Sequence, residues 1–215
     1  MSLNTSPVVA AFDFDGTLTK RDTLLPYLIQ ALGWPRFLWA LVLSAPWLLG
    51  FALRVLPNDV AKQRLLRTCL QGRSTEAVDR WTTRWCAKSL QSSLQGWALD
   101  RLAQHRQARH HCVLVSASPD IYLKRVALKL GFDALICTEL EVKGQTLTGA
   151  MRTPNCYGAQ KAIRLRDHLA REFGESAAQN PVMHAYGDSA GDWDLLKMAT
   201  HAWYRGKPWV RPPGV

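Results

Sequence analysis

The sequence lacks several features that would fix its class at once. Its 215 residues include only five cysteines, none in a CxxC pair, which argues against a disulfide framework or a cysteine-ligated zinc site. It has no repeat at a period of about 20–50 residues and no low-complexity tract, which argues against a solenoid. The first residues lack the basic flank and long apolar core of a secretory signal. We therefore expect a cytoplasmic protein with reduced thiols.

Acidic residues are also scarce relative to basic ones. The chain has 27 lysines and arginines against 17 aspartates and glutamates, a formal net charge of +10. Such a charge favours anionic partners, namely phosphorylated substrates, acidic lipid headgroups or nucleic acid. The basic stretch 62–88 places Trp81 and Trp85 on one helical face. It lacks the aromatic and basic pattern of an RNA-binding sheet, so nucleic acid is not the expected partner.

Short apolar runs alternate with helical patterns along the chain. Four runs are typical of strands buried on both faces, namely Val8–Phe12, 112–115, 135–137 and 182–186. Helices are predicted over Asp120–Leu130 and 157–173, and a β-hairpin over 139–148. This alternation predicts an α/β fold, a doubly wound parallel sheet.

A long helical stretch separates the first strand from the second. Residues 22–93 show helical patterning and no clear strand, which predicts an inserted all-helical cap domain. The α/β core is then discontinuous and is formed by 1–21 and 94–215.

Within the predicted cap, residues 37–53 contain no charged residue and lie between Arg36 and Arg54. The run is shorter than the about 20 residues that span a bilayer, Pro46 interrupts it, and it is apolar on every side. Three interpretations stay open. The run can form a buried helical hairpin bent at Pro46, a peripheral contact with the inner face of the membrane, or a homodimer contact.

Two aspartates directly follow the first predicted strand, in the run FDFDGTLT at 12–19. Parallel α/β sheets bind ligands at the carboxyl ends of their strands. There, a carboxylate such as Asp13 can attack phosphorus. A second carboxyl group, Asp15, can protonate the leaving oxygen and then deprotonate the incoming water. Gly16 lets backbone N–H groups approach a phosphate closely.

Further polar side chains fall near the ends of later elements. Ser116 follows the second strand, Asp188 and Asp192 follow the fourth, and Lys161 lies near the start of a helix. A hydroxyl and an ammonium group can bind phosphoryl oxygens as charge spreads over them, and carboxylates are ligands that Mg²⁺ prefers. Together these residues predict a Mg²⁺-dependent phosphomonoester hydrolase that works through an aspartyl-phosphate.

The motifs resemble those of the haloacid dehalogenase (HAD) superfamily. The resemblance is to subfamily IB, in which a helical cap follows the first motif and which includes phosphoserine phosphatases. Residues 12–19 match the first motif, 113–116 the second, Lys161 the third and 187–192 the fourth. Aspartate at position 15 marks the phosphatases and phosphomutases of the superfamily, so the resemblance implies a phosphatase and not a dehalogenase.

The resemblance also implies roles for individual residues. Asp13 is the expected nucleophile and Asp15 the acid/base, with Ser116 and Lys161 completing the catalytic set. Mg²⁺ is expected on Asp13, on the backbone carbonyl of Asp15 and on Asp188, with support from Asp192.

The substrate is less constrained. Gly16, Asp22 and Ala117 are the residues expected to contact it, and Asp22 stands where phosphoserine phosphatases carry a substrate-contacting glutamate. The run SASP at 116–119 replaces two glycines of those enzymes, and this argues against phosphoserine itself. A small soluble phosphate ester is the expected substrate. The run 37–53 and the tail 200–203 also resemble a bacterial phosphatidylglycerophosphate phosphatase, so a lipid phosphate is the alternative.

Overall fold

The computed structural model describes residues 8–175 and 182–210. Its strands are β1 (Val8–Phe12), β2 (His111–Pro119), β3 (Ala134–Thr138), β4 (Leu140–Lys143), β5 (Thr146–Met151), β6 (Val182–Gly187), β7 (His201–Tyr204) and β8 (Lys207–Pro208). Its helices are α1 (Leu24–Leu32), α2 (Trp34–Ala52), α3 (Asn58–Leu70), α4 (Thr75–Trp85), α5 (Gln91–Ser93), α6 (Gly96–Gln107), α7 (Asp120–Leu130), α8 (Ala159–Phe173) and α9 (Trp193–Met198). A π-helical segment, Cys86–Leu90, joins α4 to α5.

The main sheet has six strands in the order β3-β2-β1-β6-β7-β8. Its first five strands run parallel, and β8 pairs antiparallel with β7 at the edge. At the centre, Ala11 lies between Val113 of β2 and Ala185 of β6, and all three are fully buried. Helices cover both faces, which explains why β1 reads as a continuous apolar run. The predicted doubly wound α/β fold is confirmed.

Side chains on the two faces of β1 pack into two different hydrophobic cores. Val9 and Ala11 pack with residues of α8 and α9, such as Leu165 and Leu195. Phe12 belongs to the other core, which continues without a break into α1–α4, in the segment 22–93 predicted as the cap and called the cap below. The helices that follow β1 in the chain are therefore anchored on one face of the sheet, above the carboxyl end of β1.

The hairpin of β4 and β5 forms as predicted, with the two strands antiparallel. It lies in sequence within the predicted core segment 94–215, but in space it contacts the cap. The backbone N–H of Gly72 donates to Leu147 O at 2.9 Å, and that of Thr75 donates to Gln145 O at 2.8 Å. The hairpin therefore extends the cap on the side of α3.

Of the three interpretations of 37–53, the buried helical hairpin bent at Pro46 is wrong. Helix α2 is continuous from Trp34 to Ala52 and includes Pro46. Proline removes one backbone donor, but Pro46 lies on the exposed side of α2, while Ala40 and Ser44 anchor the helix on the other side.

The same helix is not buried either. Trp39 is 63% exposed, and Val42 and Leu49 are each 62% exposed. Within the described part of the chain, α2 is the one helix long and apolar enough to cross a membrane by length and composition, and 17% of that stretch is buried inside the fold. Its apolar character is therefore not explained by burial in the core.

Candidate active site

Asp13, the first residue of the candidate site, directly follows β1. The backbone N–H of Asp13 donates to Tyr186 O of β6 at 2.9 Å, so the strand ladder fixes its backbone. The chain then turns sharply, with Gly16 at φ +79°. A Cβ atom at this glycine would lie 2.2 Å from Asp188 Oδ2. Only glycine accommodates both this backbone conformation and the close approach of Asp188.

Lys161 joins two of the aspartates. From the first turns of α8, its Nζ donates to Asp13 Oδ1 at 2.5 Å and to Asp192 Oδ1 at 2.6 Å. Asp13, Lys161 and Asp192 are 5%, 3% and 0% exposed. A buried ammonium shared by two carboxylates holds β1, α8 and the loop after β6 in one arrangement, since unpaired charges are costly in the interior.

Asp192 also organises the loop that carries Asp188. Its Oδ2 accepts hydrogen bonds from the backbone N–H groups of Asp188 (3.1 Å) and Ser189 (3.0 Å) and from Ser189 Oγ (3.0 Å). Both oxygens of Asp192 are thus engaged by protein groups, whereas Asp188 faces the cavity.

Asp15 is held by residues that enter from other parts of the chain. Its Oδ1 accepts from the backbone N–H and from Oγ1 of Thr23, both at 2.7 Å, and its Oδ2 accepts from Ser118 Oγ at 2.5 Å. Thr23 Oγ1 lies 3.1 Å from Tyr122 OH. Burial raises the pKa of Asp15, the neighbouring Asp22 carboxylate raises it further, and the hydrogen bonds oppose this shift. A raised pKa suits a carboxyl group that must donate a proton.

The acidic cluster carries more negative charge than Lys161 can balance. Carboxylate oxygens of Asp13, Asp188 and Asp192 all lie within 4.8 Å of one another. Burial and the neighbouring Asp192 raise the pKa of Asp13 well above its ordinary range, and the same causes raise the pKa of Asp188 to about 6. Burial opposes protonation of Lys161, but Asp13 and Asp192 outweigh it and raise its pKa.

This cluster fits a hard divalent cation. The cluster offers only oxygen donors and a surplus of negative charge, and Mg²⁺ binds such carboxylate oxygens. Lys161 and the loop N–H groups engage both oxygens of Asp192, so Asp13 and Asp188, which line the cavity, are the carboxylates that can bind the cation.

A cavity of about 580 Å³ opens over these groups, between the sheet and the cap. It is lined by all of the predicted site residues except the buried Asp192, namely Asp13, Asp15, Gly16, Asp22, Ser116, Ala117, Lys161 and Asp188. Its size suits a small molecule or the headgroup of a larger one. Ser116 is buried, and its Oγ accepts from Ser118 N at 3.1 Å. Asp22 is exposed, and its Oδ1 accepts from Leu24 N at 3.0 Å at the start of α1.

Lys62 is a site residue that the sequence analysis missed. From α3 of the cap, its Nζ donates to Ala117 O at 2.5 Å and to Asn155 Oδ1 at 2.8 Å. Burial lowers its pKa to about 8, opposed by Asp15 and Asp22. Lys62 belongs to a basic stretch that looks like a solvated helix face, and no local pattern marks its contact with residues 55 and 93 positions away.

Gln95 was also missed. Its Nε2 lies 2.9 Å from Gly16 O, 3.0 Å from Thr17 O and 2.9 Å from Thr19 O. Its Oε1 accepts from Trp97 Nε1 at 2.9 Å. This one amide therefore secures the turn that carries the paired aspartates, and nothing in the spacing of Gln95 from that turn reveals it.

Comparisons with known proteins agree with this architecture. The chain matches the haloacid dehalogenase-like hydrolase family over residues 10–197. It is 30% identical over 206 residues to Protein CicA of Caulobacter vibrioides, covering 94% of this chain and 89% of that protein.

Two solved structures show the same fold. A Bordetella pertussis Tohama I protein of unknown function superposes with a TM-score of 0.75 at 23% identity, over 92% of this chain and 89% of that one. A phosphoserine phosphatase, solved as an analogue of its phospho-aspartyl intermediate, superposes with a TM-score of 0.60 at 18% identity, over 90% of this chain and 84% of that one. The chain belongs to the haloacid dehalogenase-like hydrolase family.

Proposed function

We propose that the protein is a Mg²⁺-dependent phosphomonoester hydrolase acting through an aspartyl-phosphate on Asp13. The observation that carries the proposal is the cluster of buried Asp13, Lys161 and Asp192 with half-buried Asp188, beside an independently held Asp15. Lys161 occupies Asp13 Oδ1, and this leaves Oδ2 to attack phosphorus.

The chain's own residues account for the proton transfers. As Asp13 Oδ2 forms a bond to phosphorus, the bond to the ester oxygen breaks and Asp15 delivers its proton to that oxygen. Asp15, now ionised, takes a proton from water as the water oxygen attacks the aspartyl-phosphate, and inorganic phosphate and free Asp13 are released. Ser116 and Lys161 bind phosphoryl oxygens. A bound Mg²⁺, held by Asp13, the Asp15 carbonyl and Asp188, would supply charge neutralisation on the phosphoryl group.

The test is phosphate release from a generic aryl phosphate in the presence of Mg²⁺. Asp13→Asn should abolish turnover, whereas Asp100→Asn, at an exposed position on α6, should not change it. Mass spectrometry of acid-quenched wild type should find phosphate on the peptide that contains Asp13. Full activity in Asp13→Asn would refute the mechanism.

The expected substrate is a small soluble phosphate ester, since the cavity volume of about 580 Å³ accommodates one completely. Asp22 and the backbone at Gly16 and Ala117 would contact it, and Lys62 adds a cation from the cap. In this case the protein acts in the cytoplasm without a membrane contact.

A lipid phosphate is the second candidate, and one observation favours it. Leu48 and Phe51 of α2 line the catalytic cavity, while other apolar side chains of the same helix face outward. An acyl chain leaving the cavity would therefore meet an apolar surface, and the exposed Arg36 and Arg54 at the two ends of α2 suit anionic headgroups. The protein would then bind at the inner face of the membrane.

Two assays separate the candidates. A screen with Mg²⁺ should cover soluble phosphate esters and phosphatidylglycerophosphate in vesicles, and the higher kcat/KM identifies the class. Flotation with phosphatidylglycerol vesicles should recover the wild type but not a variant with Trp39→Ser, Val42→Ser and Leu49→Ser, if the lipid candidate holds. Leu128→Ser, at an apolar position on α7 that is 82% exposed, is the matched control. Absence of flotation at low salt would count against the lipid.

A further inference from the structure

A second cluster of metal-binding side chains lies away from the aspartates. His105 lies near the end of α6, His110 directly before β2, and His184 within β6. One ring nitrogen of each lies within 4.8 Å of the others. His184 precedes Asp188 by four residues, about 13 Å along an extended chain, so the two clusters are separate.

We propose that His105, His110 and His184 form a binding site for a divalent transition-metal ion of the zinc class. Imidazole nitrogens suit zinc, nickel and copper, whereas Mg²⁺ requires oxygen ligands. The proposed site is thus chemically distinct from the carboxylate site, and each would select a different ion.

The geometry of two of the rings alone does not require a metal. His105 Nδ1 lies 2.7 Å from His110 Nδ1, and a hydrogen bond between two neutral imidazoles accounts for that distance. The pair His111 and His168, with their Nε2 atoms 2.9 Å apart, is an example of such a bond elsewhere in the protein.

His184 is what separates the cluster from a simple pair. Its Nδ1 is inaccessible to solvent and has no hydrogen-bond partner among the described residues. A buried polar atom left unpaired costs about 1–3 kcal/mol. Its ring is packed against that of Trp203, with centroids 5.5 Å apart and planes at 12°. A metal ion that is shared with His105 and His110 and bound through Nδ1 of His184 would give this nitrogen its partner.

Tyr186 completes the arrangement around His105. Its hydroxyl lies 2.8 Å from His105 Nε2, and Tyr186 is 1% exposed. With Nδ1 on the metal, Nε2 carries the proton and donates it to the tyrosine oxygen. Metal-bound histidines usually have such a partner on the second nitrogen, which fixes the tautomer and the ring orientation. Three protein ligands leave the fourth tetrahedral position to water.

The test is metal binding by untagged, chelator-treated protein in excess Mg²⁺. Titration with Co²⁺ should show visible absorption typical of tetrahedral nitrogen coordination, saturating at one ion per chain and reversed by Zn²⁺. His110→Gln and His184→Gln should each weaken binding by at least about tenfold, and Tyr186→Phe should weaken it by about tenfold. His168→Gln, which removes a histidine of the other pair, is the matched control and should bind as the wild type does.

Binding that persists unchanged in His110→Gln and His184→Gln would overturn the proposal, and so would no binding at micromolar Co²⁺ and Zn²⁺. Thermal unfolding of the metal-free variants checks that they fold. If they do not, crystals of the wild type grown with Zn²⁺ decide the question. An anomalous-scattering peak between the three imidazole rings is the expected result, and a peak at the carboxylates alone contradicts it. Neither readout depends on phosphatase activity.

Discussion

The rim of the sheet, meaning the edge that carries the candidate site, buries charged side chains, whereas the outer face of α2 exposes apolar ones. At the rim, the charged groups of Asp13, Lys161 and Asp192 are almost completely buried and are bonded to one another. On α2, seven large apolar side chains are exposed, namely Trp34, Leu38, Trp39, Val42, Leu43, Leu49 and Phe51. Both arrangements oppose the usual preference for apolar residues inside and charged residues outside. At the rim, the buried charges are paired with one another by residues of the fold itself. For α2, we propose that substrate, membrane or a second copy covers the exposed apolar side chains.

The largest effect is expected at the rim, on removal of its one buried ammonium. Lys161→Met should abolish activity and destabilise the fold by about 3–5 kcal/mol, because Asp13 and Asp192 remain buried without a counter-charge. Urea unfolding at neutral pH measures this. Lys197→Met is the control, since its ion pair with Asp194 at 3.6 Å is partly exposed and should contribute at most about 1 kcal/mol.

The loss in Lys161→Met should also depend on pH. Without the ammonium, the folded state binds a proton on its carboxylates more tightly than the unfolded state does, so the stability of the variant should rise as pH falls toward about 4. A loss of stability that is the same at every pH would contradict this electrostatic explanation.

A smaller effect at the rim isolates a steric contact. Gly16→Ala should lower kcat/KM by about 100-fold, on the scale of losing one positioned group, because the new Cβ would displace Asp188. Backbone strain adds a stability loss of about 1–3 kcal/mol. Gly72→Ala is matched in backbone conformation, with φ +77° and open space around the added atom, and lies in the cap. It should lose similar stability and no activity. Equal activity losses in the two variants would rule out the contact with Asp188 as the cause.

Lys62 connects α3 to Ala117 and Asn155 beside the rim, and its charge provides a pH test. Its pKa of about 8, lowered from 10.5 by burial, means that it is cationic at neutral pH and loses its charge as pH rises through 8. KM for a phosphate ester should then rise by about fivefold, since a charge pair across water is worth about 1 kcal/mol. Lys62→Met should show the higher KM already at pH 7. Lys88→Met, at an exposed cap position, should behave as the wild type. If KM rises with pH in Lys62→Met as much as it does in the wild type, the group that titrates is not Lys62.

As pH rises, the loss of charge on Lys62 should weaken substrate binding but increase the stability of the fold. Since its folded-state pKa is lowered, the folded state disfavours the charged form, and stability should rise between pH 8 and 10.5. Lys62→Met removes this rise.

The sequence predicts a feature when the residues that form it are close together in the chain, and fails when they are far apart. The strand β1, the helix Asp120–Leu130 and the hairpin are local patterns, and the structure contains them. The carboxyl-end rule brings Asp13 and Asp188 to one edge, and they lie there. Lys62 and Gln95, which bond to Ala117 and Asn155 and to the turn at 16–19, act across dozens of residues and carry no local signal.

Helix α2 shows a second reason why sequence patterns are insufficient. An all-apolar run fixes neither what covers it nor whether a proline breaks it. Pro46 lies inside the continuous helix, on its exposed side, while Phe37, Ala40 and Ser44 are buried. Only the three-dimensional neighbours decide between a buried hairpin and an exposed helix.

The smallest effect is expected on α2, where a near-absence of change is informative. Trp39→Ser should alter the free energy of unfolding by no more than about 0.5 kcal/mol in dilute solution, because a side chain that is 63% exposed has little packing to lose. Phe37→Ala, two residues earlier and 3% exposed, should cost about 3–5 kcal/mol. If Trp39→Ser is instead as destabilising, and the effect grows with protein concentration, a second copy covers this face in solution. If the effect is small in buffer but vesicle binding is lost, lipid covers this face. The apolar side chains of α2 would then have their partner outside the protein, whereas the charges at the rim have theirs within it.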